Sequence, residues 1–326
     1  MIQKITAPSF PSLNRGYNAV FRPDRLSVGL VVPLEAYPRA PVPSMTRHLE
    51  RVELAERLGF SAVWLRDVPF NVPSFGDVGQ VYDPFAYLGF LAARTERIAL
   101  GVSSIVLPLR HPAHLAKAAA SVDVLSKGRL ILGVASGDRP EEYPALGLPF
   151  ADRGARFRAS FEYLERMSER SPTFANDYGR LSGHLDLLPK PFGQKLPLLI
   201  TGGSQQDPEW IARHGDGWMV YPRPAAAQEQ VVRDWRARVE AGGGPVKPAM
   251  EPLYIDLVQA PQRTPQPIHL GLRLGIDQLR DYLKSREEIG VNHVALNLRF
   301  NQADIETTLQ RLAADLLPEF TSWGKQ

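Results

Sequence analysis

Short continuous runs of Val, Leu and Ile alternate along this chain with longer stretches whose apolar residues recur three or four positions apart. The clearest case lies between Ile98 and Asp138. Ile98–Val106 is β-branched and apolar, a composition suited to a strand buried on both faces. Pro112 stands where a first helical residue is favoured, because its missing N–H would be an orphan there. From Leu115, the residues Ala118, Ala119, Val122 and Leu125 make one helical stripe, and Gly128 supplies a left-handed stop. Leu130–Val134 is a second buried run, ending in Ala135-Ser136-Gly137. Strand, helix and parallel strand make one βαβ unit. Ligands of such proteins sit at the carboxyl ends of the strands, where side chains this small let a flat ring lie against the backbone.

The alternation recurs from end to end. Residues 1–24 are polar and proline-containing and read as an irregular N-terminal arm. Leu26–Leu34 is the first strand. Ser44 can cap a helix carrying Met45, Leu49, Val52, Ala55 and Leu58, with Gly59 as its stop. Ser61–Leu65 is the second strand, followed by Arg66-Asp67 and a glycine- and proline-bearing loop to Val81; loops of that length in compact domains are usually functional. Asp83 and Pro84 open a helix through Ala93, another runs over 152–170, and 171–195 reads as an insertion or lid. Leu196–Thr201, Gly217–Val220, Leu253–Val258 and Val291–Leu298 supply strands five to eight, with helices over 205–214, 224–241, 276–289 and 302–317.

Eight buried strands alternating with helices predict an α/β fold, a (β/α)8 TIM barrel. It spans 25–320 as a single domain with loop insertions at its C-terminal face, and 321–326 is a tail. The alternative is a doubly wound open sheet. Against it, the first strand ends Val-Pro-Leu-Glu-Ala-Tyr-Pro, without the G-x-G-x-x-G fingerprint, and no G-x-x-x-x-G-K-[ST] occurs.

Composition narrows the function. The chain has 326 residues with 38 Lys and Arg against 35 Asp and Glu, a net charge of +3, and no clustered basic run. Nucleic-acid binding therefore gets little support. The absence of cysteine excludes disulfides, thiol catalysis and thiolate metal sites. No stretch approaches the ~18 apolar residues of a membrane span. The expectation is a cytoplasmic enzyme with a small-molecule substrate and neither nucleic acid nor membrane as partner.

Four blocks carry a resemblance: AERLGFSAVWLRD (55–67), the run from Asp83 to Asp138, RGARFR (153–158) and ITGGSQQDPEWIARHGDGWMV (200–220). In this order the chain resembles the bacterial luciferase-like family of flavin-dependent monooxygenases and oxidoreductases, over roughly residues 25–320. The resemblance implies the same barrel, with FMN, or in some branches coenzyme F420, at the strand carboxyl ends. It also implies a homodimer, and a partner reductase or NAD(P)H as the source of reducing equivalents.

Thr201-Gly202-Gly203-Ser204 follows the fifth strand. Glycine N–H groups before a helix offer donors to a phosphate, and family members place the FMN phosphate at the position matching Gly203-Ser204. The plainer reading is a tight turn, with Asp207 capping a helix that begins at Pro208. Arg110 is a further candidate cation. Ser103 and Ser104 end the third strand, where the family carries a non-prolyl cis peptide against the flavin ring. With Ala135, Ser136 and Gly137 they complete the expected cofactor-binding set.

One departure stands out. Luciferase-like monooxygenases often have a histidine after the second strand, where this chain has Arg66-Asp67-Val68-Pro69. The catalytic group is therefore not identified. Asp67 is a candidate base, or a residue that caps the loop or pairs with an arginine. Arg139 can bind an anion or a flavin carbonyl, and Tyr143 can stack or donate a hydrogen bond; the alternative is a surface loop with an internal ion pair. Arg153 reads as structural. Tyr221, Arg223, Asn297 and Arg299 follow the late strands and can shape the pocket. His111 and His114 lie three apart at a helix start without supporting carboxylates, so no metal site is expected. Three functions stay open: an FMN-dependent monooxygenase, an F420-dependent hydride-transfer enzyme, and a barrel that binds flavin or another ligand without turnover.

Overall fold

The computed structural model describes residues 9–320. In chain order it contains α1 (Arg15–Val20), β1 (Ser27–Val31), α2 (His48–Leu58), β2 (Ala62–Leu65), α3 (Pro84–Arg94), β3 (Ala99–Val106), α4 (Pro112–Leu125), β4 (Leu130–Ala135), the single turn α5 (Glu142–Ala145) and α6 (Arg153–Arg166). There follow β5 (Thr173–Asn176), β6 (Gly179–Ser182), β7 (Leu198–Thr201), α7 (Pro208–His214), β8 (Gly217–Met219) and α8 (Ala225–Ala241). The chain ends with β9 (Ala249–Leu257), β10 (Gln266–Ile268), β11 (Gly271–Leu274), α9 (Ile276–Glu288), β12 (His293–Asn297) and α10 (Ile305–Asp315). Parallel pairing runs β9-β12-β1-β2-β3-β4-β7-β8, and β8 pairs back on β9, which closes an eight-stranded barrel. This is the (β/α)8 TIM barrel that the alternation predicts. Among the described residues no helix is long and apolar enough to cross a membrane.

Period-two alternation sorts each strand between two cores. Val28, Leu30, Val63, Leu65, Leu100, Leu132 and Val134 face the helical ring, while Val31, Ala62, Trp64, Ala99, Ile131 and Leu199 fill the interior. Trp64 sets the interior's geometry. A Cβ on Gly101, its register partner, would stand 2.2 Å from the indole, so only glycine leaves room for the ring. The indole Nε1–H donates to Nε2 of His293 at 2.8 Å. His293 Nδ1 lies 2.7 Å from Ser27 Oγ, which donates to the Val20 carbonyl at 2.7 Å. A single tautomer, protonated on Nδ1, satisfies the whole chain. Burial holds the His293 imidazole down at about 3, so it is neutral.

The arm read as irregular contains α1, which closes the amino-terminal mouth of the barrel. Leu13, Tyr17, Val20 and Phe21 join the interior cluster, and Tyr17 donates to the Asp216 carbonyl at 2.8 Å. Asn14 caps α1 and also donates to Asp123 and to the Leu130 carbonyl at 2.7 Å. Six residues are too few for a helix on propensity alone; burial of one face stabilises it, which a local pattern does not reveal. Residues 1–8 and the expected tail 321–326 lie outside the described residues.

Other elements shift from expectation for similar reasons. Ser44 does not cap α2, which begins at His48; its hydroxyl bonds Thr46 and its N–H goes to Glu35. Leu125 turns outward at the end of α4. Segment 171–195 is not a lid: β5 and β6 form a hairpin beside α6, with Asn176 donating to the Ala159 carbonyl, and its residues do not border the central cleft. The seventh barrel strand starts at Ala249, and β10–β11 after it form an antiparallel hairpin.

Two outcomes follow from the interior. Gly101→Ala should lower stability by about 1–3 kcal/mol, because the new methyl group overlaps Trp64; urea unfolding reads this directly, and an unchanged midpoint would mean the ring moves freely. The second concerns acid. His293 has a folded-state pKa below its unfolded value of about 6.5, so as pH falls the unfolded chain takes the proton first and stability drops. The loss starts near pH 6.5 and levels off near 3, and between pH 7 and pH 5 it should amount to roughly 2 kcal/mol. His293→Gln should show a pH 7-to-5 loss smaller by that amount.

Candidate functional site

The carboxyl ends of the barrel strands surround a cleft with two adjoining lobes, of about 370 Å³ and about 320 Å³. Both lobes share Arg66, Phe75, Ser103, Ser104, Thr201 and Tyr221. The larger lobe lies over β1, β8, β9 and β12; the smaller extends over β4 and the loop after β7. The peptide joining Ser103 to Ser104 is cis, as the resemblance implies, and the β3–β4 register shifts there, between Val102 and Ile105. Ser104 Oγ makes a short hydrogen bond with Thr201 Oγ1. Of the expected cofactor-binding residues, Ser103, Ser104, Ala135, Ser136, Gly137, Thr201, Gly202 and Ser204 border the smaller lobe; Gly203 is exposed and does not line it.

After Thr201 the chain makes a left-handed excursion, with φ of +54° at Gly202, +42° at Ser204 and +59° at Gln205. The Gly202 N–H is used by the Met219 carbonyl at 2.8 Å, and Ser204 Oγ turns back to the Thr201 carbonyl at 2.7 Å. The N–H groups of Gly203, Ser204 and Gln205 find no acceptor among the described residues. Consecutive backbone N–H groups without an acceptor, in a turn with left-handed residues, are the donor set from which anion-binding nests are built. The turn is not a helix start: α7 begins only at Pro208, and Asp207 caps it through the Trp210 N–H at 2.7 Å. Gln206 anchors the loop to α6 by donating to the Gly154 carbonyl at 2.9 Å.

The candidate catalytic residues separate clearly. Asp67 is sealed from solvent and both its oxygens are occupied: Oδ1 accepts from Arg110 at 2.7 Å, Oδ2 from Arg110 at 3.2 Å and from the Val106 N–H at 3.1 Å. It pins β2 to β3, and both oxygens are engaged by an ion pair and a backbone N–H, an arrangement that suits a structural role rather than a base. Arg110 also pairs with Asp83 at 3.0 Å, so its charge is spent on carboxylates. Tyr143 is fully buried, donates to the Ser136 carbonyl and packs on Phe150; burial pushes its hydroxyl up to about 12. It supports the floor of the smaller lobe and does not line it. Arg139 does reach that lobe, stacked 4.2 Å over Phe75 and donating to the Asp77 carbonyl at 2.9 Å. Its Nη1 lies 3.7 Å from Glu142 Oε1, and neither atom has a hydrogen-bond partner. Burial, then the like charge of Arg66, lowers the Arg139 pKa.

Asp77 organises the larger lobe. It accepts from Arg66 at 2.6 Å, the Gly79 N–H at 2.9 Å and Tyr37 at 3.2 Å, and pairs with Arg299 at 2.9 Å. Burial alone would raise its pKa; Arg66, with the Gly79 N–H and Arg299, overcomes burial and holds the carboxyl below its usual range. Tyr221, Asn297 and Arg299 line this lobe as expected. Arg223 does not: it donates to the Tyr221 carbonyl and points to Gln228. Arg153 stacks 3.8 Å over Phe150, and His111 caps α4. The sequence reading missed Asp77, Tyr254, His269 and Phe300. Asp77 sits in the long loop already marked as functional; His269 reaches the lobe only because β10 and β11 fold back, placing its ring 6.0 Å from Tyr254 and 6.1 Å from Phe300.

Comparison with known proteins bears on this cleft. Residues 25–255 match the family model described as luciferase-like monooxygenase. An uncharacterised protein of Mycobacterium tuberculosis is 31% identical over 244 residues, covering 73% of this chain and 77% of that one. The chain belongs to the luciferase-like monooxygenase family. Two solved structures share the fold. The oxygenating constituent of 3,6-diketocamphane monooxygenase from Pseudomonas putida, in complex with FMN, is 13% identical over 91% of this chain and 99% of that one, TM-score 0.71. The coenzyme F420-dependent tetrahydromethanopterin reductase of Methanopyrus kandleri is 16% identical over 91% and 100%, TM-score 0.71.

Of these two structures, one holds FMN and the other is that of an F420-dependent enzyme. Both cofactors carry a phosphate and a flat ring, and the residues present fit such a molecule. The three free N–H groups of Gly203, Ser204 and Gln205 would supply donors to a phosphate at the edge of the smaller lobe, and the small side chains of Ala135, Ser136 and Gly137 leave the strand ends open to a ring.

Proposed function

We propose that this protein is a flavin-dependent oxidoreductase, a monooxygenase that uses reduced FMN and O2 on a small organic substrate. The observation that carries the reading is the smaller lobe. A phosphate would be held by the N–H groups of Gly203, Ser204 and Gln205, and the ring would lie over Ser103-Ser104 and Ala135–Gly137. Reduced flavin, when bound, supplies the electrons for oxygen activation. The protein's own part is positioning and water exclusion: Arg139 and Phe75 stack on one another at the lobe, and the partly buried Asp67–Arg110 pair ties the end of β2 to β3.

The paired state of the nearby cations favours FMN over F420. Arg110 is neutralised by Asp67 and Asp83, and Arg158 by Asp207 at 3.6 Å, so this rim suits a single phosphate better than a polyanionic tail. The same reading takes the reducing equivalents from a separate flavin reductase or from NAD(P)H, and takes the protein as a cytoplasmic homodimer.

Titration of purified protein with FMN, riboflavin and F420, followed by calorimetry, tests this directly. FMN binding clearly tighter than riboflavin is the expected result. Preference for F420 would recast the protein as a hydride-transfer enzyme, and binding of none would remove the oxidoreductase reading. In Ser204→Asp a carboxylate beside the three N–H groups should weaken FMN binding by about tenfold or more while leaving riboflavin unchanged. Equal loss for both ligands would place the phosphate elsewhere.

A further inference from the structure

The larger lobe presents hydrogen-bond donors that the protein leaves unused. Its one carboxylate, Asp77, is saturated by Arg66, Arg299, Tyr37 and the Gly79 N–H. Arg66 spends one N–H on that carboxylate. The rest of its guanidinium fork finds no acceptor among the described residues, although its side chain borders both lobes. Asn297 accepts from the Arg299 N–H through Oδ1 at 3.0 Å, and its amide nitrogen is likewise free. The hydroxyls of Tyr221 and Tyr254 donate to nothing within the described chain, and His269 stands beside them. Two guanidinium groups thus face one carboxylate. Around these donors the walls are apolar, built from Val31, Met219, Met250, Leu270 and Phe300.

The Arg66 guanidinium is only partly exposed and its open N–H groups face a mostly apolar lobe; an anionic acceptor there forms hydrogen bonds about twice as strong as a neutral one. A cation at the same point meets the net positive charge that two guanidinium groups leave beside one carboxylate. We propose that the larger lobe selects an organic anion, with a carboxylate or sulfonate head held by Arg66 and Tyr254 and an apolar body lying along Met219, Met250 and Phe300. The assignment deepens the flavin-dependent reading by naming the substrate class, and rests on it only in taking the smaller lobe as the cofactor's.

A matched series of probes separates the possibilities. Calorimetry on FMN-saturated protein with 4-phenylbutyrate, 4-phenylbutanamide and 4-phenylbutylamine should give at least tenfold tighter binding for the carboxylate than for the amide, with the amine weakest. Arg66→Gln should bring the carboxylate-to-amide ratio close to one. Tyr254→Phe, which removes only a hydroxyl, should weaken the carboxylate and spare the amide, and it decides the question if Arg66→Gln fails to fold. Equal binding of carboxylate and amide, no carboxylate binding at millimolar concentration, or a ratio unchanged in the variants overturns the proposal. Displacement of FMN fluorescence by the carboxylate would also overturn it, since the head would then sit in the cofactor lobe. Should FMN itself fail to bind, the series is run on the protein alone; a carboxylate preference there upholds the anion site while the flavin reading falls.

Discussion

Everything above the barrel floor depends on how Trp64 is accommodated. Its indole lies in the interior and is possible only because Gly101 leaves the adjacent strand bare. Its N–H then needs a buried acceptor, which must be neutral His293, whose other nitrogen must give its proton to Ser27. A charged imidazole would leave two donors facing each other in a dry interior. With this layer filled from wall to wall and α1 closing the space beneath it, the remaining volume lies at the carboxyl ends of the strands, which is where the cleft forms.

Charge in the cleft is arranged in two units with different uses. Asp67 and Arg110 satisfy one another and a backbone N–H, so the pair is structural and fixes the relation of β2 to β3. Asp77 instead holds two arginines while satisfying neither completely, leaving donors aimed at the larger lobe. The difference lies in stoichiometry: each oxygen of Asp67 is matched from within the protein, whereas the guanidinium groups around Asp77 outnumber the carboxylates available to them.

The luciferase-like family supplies the barrel, and the loops after the strands supply what distinguishes this chain. The second strand ends in Arg66 rather than histidine, and the imidazole that does border the cleft comes from the β10–β11 hairpin. A polar group at a given depth of the cleft can thus be delivered from different strands, because all eight end on the same face.

The sequence by itself determined the barrel, through the alternation of continuous apolar runs with helical stripes, and most of the residues that border the smaller lobe, through small side chains at strand ends. Both are local signals, carried by neighbours a few positions apart. Tertiary structure alone decided the rest. Asp67 reads the same in the sequence whether it is a free base or a saturated ion pair, and only Arg110, 43 positions away, makes it the latter. The sequence leaves the Gly202–Gln205 segment open between a helix entry and a tight turn before an Asp207 cap, and the structure shows the turn and the cap. Asp77, Tyr254 and His269 gain meaning from residues far away in the chain, because a hydrogen bond or an unsatisfied donor is a property of distance in space, which no spacing along the chain encodes.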